Sequence, residues 1–491
     1  MNDELPEGWA EVSLPQVARL NMGQSPPSST YNTQKRGLPF FQGKAEFGDL
    51  YPSPEKFCSA PVKVAEPEDI LISVRAPVGP TNLCREPSCI GRGLAAIHPL
   101  GAIPSRYLLF ELRNIEGWLA TQGTGSTFTA ISKSDLEQLR IPLAPLAEQR
   151  RIVAKLEQLF AKVDAGQLRL AKIPVLLKRF RQSVLAAACS GRLTIDWRQN
   201  NPDTEPYARG AESIEGFDQD FPPSWRATRL GRLTTLVTSG SRGWAKYYAR
   251  AGAIFIRAQN INADMLNLDD IAFVKPPASA EGLRTKVRQH DLLVTITGAN
   301  VTKSALVEKA IGDAYVSQHV ALVRLVDARL SKFVFNFIIS IAHGRRQLLE
   351  AAYGQGKPGL NLDNIKDVAV HIPPLAEQQE IGRRVEQLFL FADRIEARYA
   401  WVNVHVCKLT PSLLAKAFRG ELVPTEAELA RQEKRDYEPA SLLLERVKQQ
   451  RIRDESEAAR PTRSEASTAA RNIKGSARLT RRGPQPRVRV G

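Results

Sequence analysis

The sequence contains little cysteine, histidine or methionine and has no long apolar run. Its 491 residues include 5 cysteines, 6 histidines and 3 methionines. The cysteines lack the paired spacing of a disulfide framework or a zinc site, so we expect reduced thiols and no metal. The most apolar stretch, residues 333–342, is too short to span a bilayer, and residues 1–4 do not resemble a signal peptide. We therefore expect a soluble protein in the cytoplasm.

Positive charge is the unusual bulk property of the chain. The 68 lysines and arginines exceed the 52 aspartates and glutamates, which gives a formal net charge of +16. Residues 452–491 hold ten basic and four acidic residues, so the remainder of the chain carries +10. A hydrophobic content of 43% is ordinary for globular protein. The surplus predicts a polyanionic partner, with double-stranded DNA favoured over a membrane.

Two stretches of the chain repeat each other at an offset of 229 residues. The sequence Pro145 to Gln149 returns as Pro374 to Gln378, and the similarity runs without a gap to Leu193 and Leu422. Upstream the similarity continues, but its offset drifts between 216 and 226 residues. Loops accept insertions easily, whereas a packed helix does not, because an insertion rotates its apolar stripe. The pattern predicts two variable modules, each followed by a constant helical segment.

Each upstream module shows short apolar runs followed by a helical pattern, which predicts a mixed α/β domain. We expect helices at residues 105–119 and 330–350. Each repeated segment should form a rod of roughly 45 residues, about 65 Å long, that is too long to be stable alone. Pairing the two rods as an antiparallel coiled coil buries both apolar stripes, and Pro174 should kink the first. The fold class is therefore α/β with an internal pseudo-two-fold duplication.

The same patterns divide the chain into modules, helical regions and a tail. The predicted boundaries are 1–142 for the first recognition module, 143–193 for the central helical region, 194–218 for a linker, 219–372 for the second module, 373–422 for the distal helical region, 423–451 for a short helical extension and 452–491 for a basic, disordered tail.

Sequence motifs for catalysis are missing. The chain has no metalloprotease, hydrolase, phosphate-loop or paired-carboxylate nuclease signature, and none of its Pro-Pro pairs has the surroundings of an amino-methyltransferase motif. We therefore predict a non-catalytic DNA-binding protein. Two alternatives remain open: a nuclease or DNA methyltransferase with divergent motifs, and a helical scaffold that does not bind DNA.

Loops rich in glycine, amides and cations are the best candidates for contact with DNA. Glycine allows close approach of the backbone, amide and cationic side chains can bond to base edges, and hydroxyl groups suit phosphates. In the first module the predicted DNA-binding residues are Gly23, Gln24, Ser25, Gln42, Lys44, Arg75, Arg92, Thr124, Ser126 and Thr127. In the second module they are Ser239, Arg242, Arg257, Gln259, Asn260, Thr297, Gln318, Gln355 and Lys357. Ordinary surface turns are the alternative interpretation for any one of them.

The duplicated pattern resembles the specificity subunit of type I restriction-modification enzymes. The similarity rests on Pro-Leu-Ala-Glu-Gln in both repeats, on Leu-Phe at Leu159 and Leu388, and on the Gly-x-Leu segments that end at Leu193 and Leu422. Residues 5–9 are likewise similar to that family. The resemblance covers about residues 5–451 and implies two target recognition domains spaced by a helical ruler.

The resemblance further implies a split, asymmetric DNA target and several partner subunits. Two methyltransferase subunits would bind this chain and methylate adenine with S-adenosylmethionine, and restriction subunits would use ATP and Mg²⁺ for translocation and cleavage. No cofactor is expected on this chain. The residues implied at the subunit interface are Glu148, Gln149, Ile152, Leu159, Phe160, Glu377, Gln378, Ile381, Leu388 and Phe389.

Overall fold

A computed structural model describes residues 4–122, 130–207, 221–240, 243–276, 283–354 and 358–458. The chain forms two compact units. The first comprises Met1–Leu168 and Asn403–Gly491, and the second comprises Arg169–Val402. The chain therefore passes between the units twice, at 168–169 and at 402–403.

Residues 10–200 form short strands, short helices and one long helical segment. In chain order the elements are β1 (Ala10–Ser13), α1 (Leu14–Val17), β2 (Ala18–Met22), β3 (Tyr31–Asn32), β4 (Leu38–Phe41), β5 (Lys56–Cys58), β6 (Val64–Ala65), β7 (Ile70–Ser73), β8 (Thr81–Leu83), β9 (Ser88–Ile90), β10 (Leu94–Pro99), α2 (Ser105–Asn114), α3 (Glu116–Gln122), α4 (Lys133–Glu137), β11 (Arg140–Leu143), α5 (Leu146–Leu170), α6 (Ile173–Cys189) and α7 (Ile195–Asn200).

The later part of the chain repeats this succession and adds two helices. Its elements are β12 (Arg226–Arg229), β13 (Thr234–Ser239), β14 (Tyr248–Ala249), β15 (Ala253–Ile256), β16 (Ile261–Asn262), β17 (Met265–Leu266), β18 (Ala272–Val274), β19 (Leu292–Thr295), β20 (Ser304–Leu306), β21 (Ala314–Val316), β22 (Val320–Leu325), α8 (Ser331–Ile339), α9 (Gly344–Ala351), α10 (Leu362–Lys366), β23 (Ala369–Ile372), α11 (Leu375–Cys407), α12 (Leu409–Phe418), α13 (Glu426–Glu433) and α14 (Ala440–Ala458).

The described sheets of the two units have the same strand order apart from β6, which extends one sheet of the first unit. This match confirms the duplication. In the first unit β1 pairs with β11, an antiparallel sheet has the order β2-β10-β7-β8, and a mixed sheet has the order β3-β5-β4-β9-β6. In the second unit β12 pairs with β23, and the matching sheets are β13-β22-β19-β20 and β14-β18-β15-β21. The β16–β17 hairpin belongs to the second unit. The predicted mixed α/β class is confirmed.

The long helical segments begin and end in register with the sequence repeat. Helices α5 and α6 together run from Leu146 to Cys189, and α11 and α12 run from Leu375 to Phe418, so both ends differ by 229 residues. The predicted break near Pro174 lies at residues 171–172. The second segment also breaks, at Lys408, because Pro411 in the first turn of α12 cannot donate a helical hydrogen bond. That second break was not expected.

Helices within each unit run antiparallel. In the second unit the Arg384 guanidinium donates to the Leu193 carbonyl at 2.8 Å, whereas Arg181 donates to Asp393 at 2.7 Å and to Glu396 at 2.6 Å. Residues later in α11 therefore contact residues earlier in the first helical segment, as antiparallel helices do. In the first unit the start of α5 and the end of α12 share one apolar core. The predicted antiparallel pairing is therefore seen inside each unit.

Several predicted boundaries differ from the structure. The helix expected at 105–119 ends at Asn114 and restarts as α3, and the helix expected at 330–350 is divided into α8 and α9. The expected linker contains α7, and α14 extends helix into the first residues of the expected tail. The expected helical extension at 423–451 contains α13 and the start of α14. Thr425 and Glu428 form a capping box at the start of α13, a recognisable N-terminal signal. Residues 459–491 lie outside the described residues.

A buried tryptophan–glutamate hydrogen bond joins each α/β module to its long helix. The Trp9 indole donates to Glu148 at 3.0 Å in the first unit, and the Trp225 indole donates to Glu377 at 2.9 Å in the second. Both carboxylates are fully buried. Burial raises the pKa of Glu148, and the hydrogen bond from the backbone of Glu426 partly offsets that effect. The duplicated Leu-Ala-Glu motif therefore has a structural role in this fold.

Removing the indole donor should destabilise the chain measurably. We expect Trp9→Phe and Trp225→Phe each to lower the free energy of unfolding by about 1–3 kcal/mol, because a buried carboxylate loses a donor. Trp118→Phe, at a half-exposed tryptophan on α3, is the matched control. Urea unfolding of the full chain measures the difference. Stabilities equal to that of the control would show that the two hydrogen bonds contribute nothing.

A third buried carboxyl, that of Glu111 on α2, lies in the interior of the first unit. Burial raises its pKa to about 8, and a hydrogen bond from the Asn114 side chain at 3.2 Å lowers it only in part. Because the pKa in the folded state exceeds the ordinary value of 4.5, folding favours the protonated acid. The contribution of Glu111 to the free energy of unfolding is therefore fully present below about pH 4.5, and it is lost as pH rises toward 8.

Glu111→Gln should remove this pH dependence. We expect the variant to gain stability relative to the unaltered chain between pH 5 and pH 8, by on the order of a few kcal/mol at the upper end. Glu137→Gln, on the exposed surface of α4, is the control for loss of one negative charge. Urea unfolding at several pH values gives the answer. A constant difference across this range would mean that Glu111 is ionised in the folded protein.

Candidate nucleic-acid interface

A polar cleft in the first unit brings together most of the predicted DNA-binding residues of that module. Its volume is about 800 Å³. The lining residues come from four loops and the strands that carry them: Gly23, Gln24, Ser25, Pro26, Ser28, Tyr31, Gln42, Gly43, Lys44, Ser73, Arg75, Ala76, Arg92 and Gly93. Residues more than 60 positions apart in sequence therefore meet in one place.

Glycines allow the cleft loops to approach each other closely. A Cβ at Gly23 would lie 2.2 Å from the Gly91 carbonyl oxygen, and a Cβ at Gly93 would lie 2.1 Å from that of Gln42. The Ser25 hydroxyl also accepts a hydrogen bond from the Arg92 backbone at 3.2 Å. The loops are thus held together by backbone contacts and by the Ser25 hydroxyl.

The cleft carries positive charge without a compensating carboxylate in its lining. Lys44, Arg75 and Arg92 are exposed, as are the amides of Gln24 and Gln42. The lining residues include no aspartate or glutamate. Such a surface can bind phosphates with its cations and base edges with its cations and amides.

The second unit holds equivalent residues in equivalent backbone positions. Arg75 forms a β-bridge with Ala130, and Thr297 forms the corresponding bridge with Gly359. A turn hydrogen bond from Leu94 to Gly91 has its counterpart from Val320 to Ser317, which matches Arg92 with Gln318. The same strand registers match Gly23 with Gly240, one residue beyond Ser239. The cations of the first cleft are therefore replaced by neutral polar groups at these two positions.

The loop that carries Arg257, Gln259 and Asn260 is organised by internal hydrogen bonds. Asn260 is 3% exposed, accepts from the Arg257 backbone at 3.0 Å, and donates to the carbonyls of Asn267 and Asp270 at 3.1 and 2.9 Å. The polar atoms of Asn260 therefore shape the loop, and its predicted contact with DNA stays untested. Arg257 and Gln259 both donate to the Asp270 carboxylate, at 3.1 and 2.7 Å. Nothing in the sequence spacing signalled Asp270.

Six predicted DNA-binding residues cannot be placed. Thr124, Ser126, Thr127, Arg242, Gln355 and Lys357 lie outside the described residues.

Most of the residues expected at the subunit interface are buried within this chain. Glu148, Gln149, Ile152, Glu377 and Ile381 have no exposed surface, and Gln378 has 6%. The Gln149 and Gln378 amides cap the preceding carbonyls of Ala144 and Pro373 at 2.7 and 2.8 Å. In this fold these six residues are buried within their own unit, and their predicted role at the subunit interface stays a prediction. Leu159, Phe160, Leu388 and Phe389 are half-buried, and for them the prediction stands untested.

Metal sites and membrane spans were also sought. The described ranges contain no group of three or more histidine, cysteine, aspartate or glutamate side chains that could hold a metal ion. None of the helices that the structure describes is both long and apolar enough to cross a membrane.

Comparison with known families identifies the class of this protein. Residues 6–174 and 254–416 match the family model of the type I restriction modification DNA specificity domain. The chain belongs to this family, whose domain occurs here twice. Its role is that of a DNA-sequence specificity subunit, and the family is one of recognition subunits without catalytic activity.

Individual relatives extend over most of the chain. It is 31% identical over 451 residues to the type I restriction enzyme StySPI specificity subunit of Salmonella potsdam, with 85% of this chain and 90% of that protein covered. It is 30% identical over 446 residues to the EcoKI specificity subunit of Escherichia coli K12, with the same coverage. The crystal structure of the HsdS subunit from Thermoanaerobacter tengcongensis has a similar fold, with a TM-score of 0.56, 20% identity and coverage of 86% and 100%.

Proposed function

We propose that this chain reads a split, asymmetric DNA sequence, with one recognition domain for each half. The observation that carries the proposal is the cleft of the first unit, where Lys44, Arg75 and Arg92 surround exposed amides. The second unit repeats the architecture with different side chains in equivalent places. Two domains of one fold with different polar surfaces would read different bases, so the target would be asymmetric.

The cations and amides of the first cleft would have different tasks. Arginine and lysine pair with guanine, and glutamine pairs with adenine, through the major groove. Contacts to phosphate fix register without sequence information. Gln24 and Gln42 are thus the candidates for base readout, and Lys44, Arg75 and Arg92 can serve either task.

The long helices would set the distance between the two half-sites. Both passages of the chain between units, at 168–169 and 402–403, fall inside the helical segments. Those segments keep one length in the two repeats, although the domains before them differ in length. A fixed rod between two readers would act as a ruler.

Partner subunits would supply the chemistry. Two methyltransferase subunits would methylate adenine with S-adenosylmethionine, and restriction subunits would translocate and cleave DNA with ATP and Mg²⁺, in the cytoplasm. The names of the StySPI and EcoKI relatives as restriction enzyme subunits support this assignment. The long helices also expose Leu176, Phe391 and Trp401, so they offer apolar surface for such partners beside Leu159, Phe160, Leu388 and Phe389.

Variants of the first cleft test the proposal. Gln42→Ala should relax preference at one base pair of the first half-site, at a cost of about 1–3 kcal/mol for the cognate sequence. Arg75→Ala and Lys44→Ala should weaken binding to DNA. If either side chain contacts a phosphate, its removal should lower by about one the number of ions released on binding, measured from the salt dependence of the binding constant. Sequencing of duplexes bound from a randomised pool, with salt titrations, measures both effects.

Lys133→Ala, an exposed lysine on α4 outside the cleft, is the matched control. Cleft variants that behave like this control would overturn the assignment of the cleft. A purified chain that methylates or cleaves DNA without partners would instead favour a catalytic function.

A further inference from the structure

The carboxylate of Asp270 contacts both candidate reading side chains of the second unit. Its Oδ2 atom accepts from the Arg257 Nη2 at 3.1 Å and from the Gln259 Nε2 at 2.7 Å. The Asp270 carbonyl also accepts from Arg257 Nη2 at 3.1 Å. The Asp270 side chain is 76% exposed, whereas that of Arg257 is 25% exposed. An acid at the surface thus holds two donors that the sequence predicts to contact DNA.

Asp270 lies in a segment that is longer in the second repeat than in the first. The loop at 46–53 of the first repeat corresponds to the loop at 260–267 of the second. Each is closed by the same backbone hydrogen bond, from Ser53 to Glu46 and from Asn267 to Asn260. The next equivalent residues are Lys56 and Ala272. Lys56 pairs with Phe40 of β4, and Ala272 pairs with the equivalent Phe255 of β15. The second repeat therefore has two additional residues between these points. The first cleft has no carboxylate in the corresponding role among its lining residues.

A carboxylate fixes which end of the Gln259 amide faces it. An ionised carboxylate only accepts hydrogen bonds, so the NH₂ group of Gln259 must point toward Asp270. The amide oxygen and the second N–H then point elsewhere, and within the described part of the chain they have no other hydrogen-bond partner. Gln259 is exposed, so this acceptor and donor are available together in one fixed order.

We propose that Asp270 is a positioning residue that makes Gln259 a reader of adenine in the second half-site. The inference rests on the proposed function, because it assumes that this loop meets DNA. Adenine presents an N6 donor beside an N7 acceptor in the major groove, which matches the free oxygen and N–H of Gln259. Arg257 gives both Nη2 hydrogens to Asp270, which leaves Nη1 for a phosphate or a neighbouring base.

A second effect of Asp270 is electrostatic and must be separated from positioning. Its negative charge opposes the approach of any DNA, so removing the charge raises affinity for every sequence alike. Base preference, measured as the ratio of affinities for two duplexes, is insensitive to such a uniform change. The neighbouring Asp269 provides the matched control, because it is an exposed carboxylate that bonds to Asn267 and not to Arg257 or Gln259.

The experiment compares Asp270→Asn with Asp269→Asn in the full chain. Both variants lose one negative charge from the same loop. An asparagine at 270 can both donate and accept, so Gln259 can turn over and present its acceptor and donor in the reverse order. Bound duplexes are selected from a randomised DNA pool, sequenced, and then measured individually against single base-pair changes. Gln259→Ala identifies the base pair that this side chain reads.

The expected result has three parts. Gln259→Ala loses preference at one A·T base pair of the second half-site, by about 5- to 100-fold. Asp270→Asn loses most of the preference at the same base pair, and Asp269→Asn retains it. The bases of the first half-site stay unchanged in all three variants.

Other results overturn specific claims. If Gln259→Ala lowers preference but Asp270→Asn does not, positioning by Asp270 is wrong while the proposed DNA contact stands. Preference at a G·C pair would contradict the adenine assignment. If Asp270→Asn raises affinity for all duplexes more than Asp269→Asn does, with unchanged base preference, Asp270 only repels DNA and does not orient Gln259. If Gln259→Ala and Arg257→Ala change nothing, this loop does not read DNA, and the proposed function fails here.

Discussion

A buried glutamate near the start of each long helix is the contact on which the rest of the architecture depends. Glu148 and Glu377 each accept an indole hydrogen bond from the tryptophan at the start of a recognition domain. Glu148 also accepts from the Glu426 backbone, and Glu377 accepts from Thr194 at 2.7 Å and from Arg198. One carboxylate thus connects the start of the domain, the start of the long helix and the segment that follows the antiparallel helix. Because an unpaired buried carboxylate is costly, these three segments are fixed together.

This constraint explains which parts of the chain vary between the two repeats. The helices and their glutamates keep one register, and the sheets keep one strand order apart from β6. The polar residues at the ends of those strands differ. The second repeat has Thr297 at the position equivalent to Arg75 and Gln318 at the position equivalent to Arg92. The two additional residues around Asp270 are a further difference of this kind. A constant frame with exchangeable loops is what a protein needs if its recognition surface is to change without loss of the fold.

Much of this organisation could be predicted from sequence, because duplication, helical spacing and turn residues are local signals. The offset of 229 residues predicted both long helices, and the loop pattern predicted seven of the fourteen residues that line the first cleft. Interactions between distant residues could not be predicted from one sequence. The motif that contains Glu148 was interpreted as a subunit interface, because no residue near it in sequence indicates that Trp9 and Glu426 contact it. Asn260 looked like a base reader because its loop hydrogen bonds reach residues that the chain brings back only after folding.

The central proposal is that the long helical segments fix the spacing between the two readers. The most direct measurement is the gap between half-sites after four residues are inserted into both helices, at 168–169 and at 402–403. Four residues add about one turn, or about 6 Å, and nearly preserve the direction of the apolar stripe, whereas two residues would turn it by about 200°. Since DNA rises about 3.4 Å per base pair, sequencing of bound duplexes should show a gap longer by one or two base pairs, with both half-sites unchanged. An unchanged gap in a variant that folds and still binds DNA would contradict the account.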